Sequence, residues 1–98
     1  MARFDVYRAD AGLLLDVQAD SLLHLKTRLV VPLFTMDDAP LPLIDTLNPL
    51  FDFDGQKLAM MTQYAGALTL RDLGSVLGSL ESEEFTIGRA LDMLLTGI

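Results

Sequence analysis

Leu50-Phe51-Asp52-Phe53-Asp54-Gly55-Gln56-Lys57-Leu58-Ala59-Met60-Met61-Thr62 is the stretch whose reading decides the fold. Leu50, Phe51 and Phe53 lead into Asp54-Gly55, a dipeptide that tolerates the positive φ values of a tight hairpin, and residues 57–62 return as the second arm. Working towards the N-terminus, Leu29-Val30-Val31-Pro32-Leu33-Phe34 is a β-branched apolar run that reads as a strand. Its Pro32 lacks the N–H that a ladder uses, which predicts an edge or a bulge. Earlier still, Leu13, Leu15 and Val17 alternate with Leu14, Asp16 and Gln18, and Phe4, Val6 and Arg8 alternate with Asp5 and Tyr7, the period of two that a sheet requires. Asp10 and Gly12 make the link between these two segments a hairpin turn.

Between the strands, residues 35–49 carry Pro40, Pro42, Pro49, Asp37, Asp38 and Asp45, a composition that reads as a long connection. Residues 67–70 suit a short strand, and residues 71–80, with Gly74 and Gly78, fit either a turn or a short helix. The period then changes. Ile87, Leu91, Leu94 and Ile98 fall at helical spacing beside Ala90 and Leu95, with Arg89 and Asp92 on other faces. Ser82 is placed to cap this helix, Glu83 and Glu84 sit where its dipole favours negative charge, and Gly97 supplies a stop before the apolar Ile98. Several short strands and one terminal helix predict a mainly β (α+β) protein, a small bent antiparallel sheet closed or nearly closed into a barrel.

The chain has 98 residues, the size of a single domain spanning 1–98. Apolar residues make up 51 % and charged residues 21 %, which excludes disorder for most of its length. Fourteen acidic residues against seven basic ones give a charge of −7, so most of the surface should repel phosphate backbones and nucleic acid is not expected as a direct partner. With no cysteine, disulfides and thiolate chemistry are excluded. The beginning of the chain lacks a signal-peptide pattern and no stretch is apolar enough to span a membrane, so the expected location is the cytoplasm, away from any membrane. The apolar content exceeds what one small core hides, which predicts a dimer or a partner-binding face.

Candidate chemistry is sparse. His24, between Leu23 and Leu25, is the only histidine; a metal site would need further nitrogen or thiolate ligands that the chain lacks, a catalytic triad would have to depend on this one imidazole, and a structural or exposed role is expected. Asp52-Phe53-Asp54-Gly55 begins like a calcium loop but lacks the closing bidentate acid, which leaves a plain turn. Asp16 and Asp20 can be cast as a general acid and base, although among fourteen acids such a pair arises by chance. Gly74, Gly78 and Gly88 do not form a phosphate-binding loop, and the basic residues are scattered except for Lys26 and Arg28. No catalytic residue, metal or cofactor is therefore expected. The remaining feature is the end of the helix, Leu95-Thr96-Gly97-Ile98, which either packs on the sheet or is presented to a partner protein.

Leu15-Asp16-Val17-Gln18-Ala19-Asp20 followed by Thr27-Arg28-Leu29-Val30-Val31-Pro32-Leu33 resembles the N-terminal signature of the CcdB toxin family. Asn48-Pro49, Asp54-Gly55, Met60-Met61-Thr62, Ala90-Leu91 and the Gly97-Ile98 ending extend the resemblance over essentially the whole chain. It implies an SH3-like barrel with a C-terminal α-helix and a homodimer, the toxin half of a type II toxin–antitoxin module. The implied targets are a cognate antitoxin, which neutralises it, and the A subunit of DNA gyrase, held in its DNA-cleaved state; operator DNA is reached only through the antitoxin. By position, the gyrase-binding residues map to Ser21, Leu22, Asp92, Leu95, Thr96, Gly97 and Ile98. Thr96 stands where the best-known members carry Trp, Asp92 where they carry Asn, and Ser21 where they carry Ile. The antitoxin-binding residues are expected among Lys26, Arg28, Pro40, Leu41, Pro42 and Leu43. Two rival expectations are an endoribonuclease toxin of the related family with this barrel, and a non-toxic member that retains antitoxin binding and co-repression.

Overall fold

The computed structural model describes residues 2–10 and 12–98. Among these residues seven strands, β1 (Asp5–Ala9), β2 (Gly12–Asp16), β3 (Thr27–Thr35), β4 (Leu50–Phe53), β5 (Gln56–Met60), β6 (Gly66–Thr69) and β7 (Val76–Ser79), precede one α-helix, α1 (Glu84–Thr96). They form a single antiparallel sheet in the order β4-β5-β3-β2-β1-β7, with β6 also paired to β3. The sheet curls into a half-barrel. Its two outer strands, β4 and β7, meet through side chains, because the Phe53 ring lies so close to Gly78 that an added Cβ would stand 2.9 Å from it.

The β4–β5 hairpin is the one the sequence predicts. Asp54 and Gly55 adopt φ values of 51° and 78°, the left-handed pair that matches the twist of the flanking strands. The β1–β2 hairpin pairs Ala9 with Gly12, and within the turn between them Ala11 lies outside the described residues. Pro32 departs from expectation. β3 is central and not an edge, pairing with β2 on one side and with both β5 and β6 on the other. The Pro32 carbonyl accepts from the Met61 amide, so its nitrogen faces the side where β5 ends and β6 has not begun, and no donor is missed there.

A second correction concerns residues 71–80. They form neither a plain turn nor an α-helix; a short 3-10 turn at Leu70–Asp72 leads into β7, which pairs with β1 across a bulge at Val6 and Tyr7. Gly74 is required by this approach, since a Cβ there would fall on the Arg8 carbonyl. Ser82 does not cap the helix. The chain enters α1 from a 3-10 turn at Glu81–Glu83, and the helix start has no side-chain cap.

The core lies between the concave face of the sheet and α1. Phe4, Val6, Leu15, Val17, Val31, Leu33, Phe51, Leu58, Met60 and Leu80 meet Ile87 and Ala90 from the helix. At roughly 1.5–3 kcal/mol per fully buried large aliphatic side chain, this cluster holds the helix on the sheet without a cap. A smaller cluster on the convex face, Ala39, Ala59 and Met61 with Phe34 and Leu43, sits under the long connection of residues 36–49. The connection is fixed by Asn48, whose Nδ2 donates to the Met60 carbonyl and to Gln63 Oε1, and by Thr62 Oγ1, which donates to the Leu47 carbonyl. No helix is long and apolar enough to cross a membrane among the described residues.

Candidate functional site

Two features of the chain carry functional weight, a buried polar cluster behind the sheet and the free end of α1. The cluster follows from strand register. Asp16 opposes Val30 across β2 and β3, which makes Arg28 its diagonal neighbour on the same face. Arg28 Nε donates to Asp16 Oδ2 at 2.8 Å and Nη2 to Oδ1 at 2.9 Å, a bidentate pair in which both side chains are wholly buried. Nη2 also reaches the Gln18 carbonyl, and Asp16 Oδ1 accepts from the Gln18 amide. Arg28 Nη1 and the nearby Tyr7 hydroxyl are buried with no partner. Burial, reinforced by the carboxylates of Asp16 and Asp5 and opposed by Arg28, pushes the Tyr7 hydroxyl up to about 12. The bond to Asp16 likewise raises the Arg28 guanidinium, which stays charged throughout.

This geometry corrects one expectation and bears on a pairing that the sequence alone sets down to chance. Arg28 does not stand beside Lys26 as an available basic contact; its charge is consumed by Asp16 in the interior, while Lys26 is exposed. Nor do Asp16 and Asp20 form an acid–base pair, since Asp16 is locked by Arg28 and Asp20 Oδ1 accepts from the Arg3 amide at 2.7 Å. Of the connection, Pro40, Leu41 and Pro42 are exposed, whereas Leu43 turns inward onto the small convex cluster. His24 is exposed. Among the described residues no three His, Cys, Asp or Glu side chains gather as a metal site would require.

The end of α1 is built to protrude. Ile87 and Ala90 are buried and Leu91 is half-buried, but the apolar stripe continues past the sheet, leaving Leu95 76 % and Ile98 89 % exposed. The helix is closed by Gly97, at φ 79°, whose amide donates to the Met93 carbonyl, and the Thr96 hydroxyl donates to the Asp92 carbonyl at 2.7 Å. The last turn is therefore a closed helix end from which Leu95 and Ile98 project, with Leu94 partly exposed beside them. Ser21 is not beside it within one chain. It lines a cleft with Arg3, Asp20, Glu81 and Glu84 at the start of α1, and a 13-residue helix places the two ends about 20 Å apart. Leu22 follows Ser21 in a 3-10 turn and is exposed.

The described residues form a small antiparallel half-barrel that holds one α-helix with an exposed apolar tip. The particular family is shown by comparison: the model of the CcdB protein family matches residues 3–97, and the chain belongs to that family. Two solved structures show the fold. An endoribonuclease from Mycobacterial species superposes with a TM-score of 0.78 at 23 % identity, over 97 % of this chain and 90 % of that one. An endoribonuclease in complex with its cognate antitoxin, also from Mycobacterial species, superposes with a TM-score of 0.78 at 24 % identity, over 97 % of this chain and 94 % of the other. No curated protein matches the sequence. The SH3-like barrel with a C-terminal helix is thus the fold of this chain.

Proposed function

We propose that the protein is the toxin of a type II toxin–antitoxin module, which acts as a homodimer on the A subunit of DNA gyrase and is neutralised by a cognate antitoxin. Membership of the CcdB family supports the class, and the observation that carries the target is the exposed tip of α1, with Leu95 76 % and Ile98 89 % accessible. On this reading the tips enter between the arms of the opened gyrase dimerisation domain. Binding one conformational state of gyrase more tightly than the others traps it with its DNA cleaved, and needs no catalytic group in the toxin. Leu95, Thr96, Gly97 and Ile98 make the contact with Asp92. Ser21 and Leu22 join the same surface only if a second protomer brings them to it.

The test is capture of the gyrase A dimerisation fragment by the full chain and by a chain ending at Thr96. Capture by the first and not by the second, with both folded, supports the reading; equal capture, or none, overturns it. Expression in the absence of an antitoxin is expected to induce the DNA-damage response.

The names of the two solved structures favour one second reading, cleavage of RNA. The charge of −7 weighs against it, because RNA binding draws its affinity from basic surface. RNA cut by the purified protein with gyrase capture absent would establish it in place of the first.

A further inference from the structure

Ser21 and Leu22 lie between β2 and β3 on a loop that has no hold on the core. None of residues 19–27 is buried, and Leu22, Leu23 and Leu25 are all exposed. Within the loop the backbone makes short-range turns: the Leu22 amide donates to the Ala19 carbonyl, the Leu23 amide to Asp20 and the Leu25 amide to Leu22. Its flanks are tied elsewhere, Asp20 to the Arg3 amide and the Lys26 carbonyl to the Leu70 amide. Without apolar burial, such a loop takes its order from hydrogen bonds.

One side chain joins the turn to the exit of the loop. From half-buried Gln18, Nε2 donates to the Leu22 carbonyl at 3.3 Å and to the Thr27 carbonyl at 3.1 Å, and Oε1 accepts from the Leu29 amide at 2.9 Å. These partners fix the orientation of the amide, because the Leu29 N–H can only donate and the two carbonyls can only accept. They also select the residue type, a planar end that carries donors and an acceptor together. The main chain of Gln18 is held in turn by the buried ion pair, its amide donating to Asp16 Oδ1 at 3.0 Å and its carbonyl accepting from Arg28 Nη2 at 3.3 Å. Order therefore passes from the interior of the barrel, through Gln18, to an exposed loop.

We infer that Gln18 is the positioning residue of this loop, holding Ser21 and Leu22 in the shape that meets gyrase. The inference rests on the gyrase reading and adds to it a residue that acts through others. Without Gln18 the loop has to be ordered on binding, and that loss of entropy is taken from the affinity. Gln18→Glu, of the same size, isolates the donor side: its carboxylate still accepts from the Leu29 amide but sets a charged oxygen against two carbonyls.

The experiment measures amide hydrogen exchange, and capture of the gyrase A dimerisation fragment, for the full-length protein and for Gln18→Ala, Gln18→Glu and Leu22→Ala, with folding verified by circular dichroism. In Gln18→Ala the Leu25 and Leu29 amides are expected to exchange about tenfold faster or more, and in Gln18→Glu the Leu25 amide but not that of Leu29. The Met60 and Met61 amides, bonded to the Pro49 and Pro32 carbonyls, should keep the parental rate in both. Each Gln18 variant should capture gyrase about tenfold more weakly per folded molecule, and Leu22→Ala should do the same with its loop amides unchanged. Loop amides that exchange no faster, Met60 and Met61 accelerating in step with them, failure of both Gln18 variants to fold, or capture equal to the parent's overturns the inference. Unchanged capture by Leu22→Ala overturns it too, by taking the loop out of the contact. Absence of capture by the parent removes the gyrase reading itself, and the inference with it.

Discussion

Breaking the buried pair of Asp16 and Arg28 tests how the barrel is held together. Asp16→Leu leaves a guanidinium in the interior with no counter-charge, its two bonds at 2.8 and 2.9 Å lost and only the Gln18 carbonyl at 3.3 Å remaining. Uncompensated burial of this kind costs about 3–5 kcal/mol. A chain of this length has roughly 5–15 kcal/mol of stability in total, so the variant forfeits a large part of it. Since 1 kcal/mol moves the melting temperature of a domain this size by about 4–8 °C, the fall should be about 12 °C or more. Arg28→Met should cost a similar amount by stranding the carboxylate. The combined Asp16→Leu, Arg28→Met chain, which strands neither charge and also removes the unpartnered Nη1, should be more stable than either single variant. Urea unfolding followed by circular dichroism gives all four free energies of the cycle. Single variants within about 0.5 kcal/mol of the parent, or a double variant as unstable as the sum of the singles, would refute the pair as a coupled unit.

Tyr7→Phe removes a buried hydroxyl that has no partner and should leave stability unchanged or raise it by about 1 kcal/mol, read by the same urea titration. The raised Tyr7 pKa also fixes a pH dependence: the unfolded chain ionises near pH 10 and the folded chain only near 12, so stability present below pH 10 falls by up to about 3 kcal/mol as pH rises to 12. That loss should be absent in Tyr7→Phe. Gly74→Ala should be severely destabilising, because its Cβ meets the Arg8 carbonyl and the β1–β7 pairing must open, whereas Gly66→Ala, which meets nothing, should be tolerated; thermal melts compare the two. Leu95→Ala should change stability by less than about 0.5 kcal/mol yet weaken capture of the gyrase fragment at least tenfold, and an unchanged capture would remove Leu95 from the contact.

The parts of the fold legible in sequence are those that local chemistry determines. Asp54-Gly55 specifies its turn by its own dihedral preferences, and Gly97 closes the helix in the same way. β7 was not legible, because Val76–Ser79 contains Gly78 and follows Gly74, a sequence that becomes a strand only when β1 supplies its ladder. Pro32 misled for a similar reason: whether a missing N–H matters depends on what lies opposite, and here it is the gap between two strands. The buried pair left a readable signal, an acid and an arginine twelve residues apart on consecutive apolar strands. Recognising it requires the β2–β3 register, which places Asp16 opposite Val30 and so diagonal to Arg28. The exposed tip was legible as a possibility only, because a helical stripe does not say where the sheet beneath it ends.

The proposed target places a demand on the oligomeric state. Burying Leu95 and Ile98 yields roughly 1.5–3 kcal/mol each, so one tip supplies about 3–6 kcal/mol. Bringing two macromolecules together costs an estimated 4–15 kcal/mol in lost translational and rotational freedom, which one tip barely meets. Long-range attraction does not make up the difference, since a protein of charge −7 is repelled by the DNA that gyrase holds. Two tips on one rigid body supply about 6–12 kcal/mol while incurring the association cost once, and Thr96, with little surface to bury, adds only modestly to either. Gyrase poisoning and homodimerisation therefore stand together on this geometry: a protein monomeric at micromolar concentration would lack the second tip, and with it most of the affinity the mechanism requires.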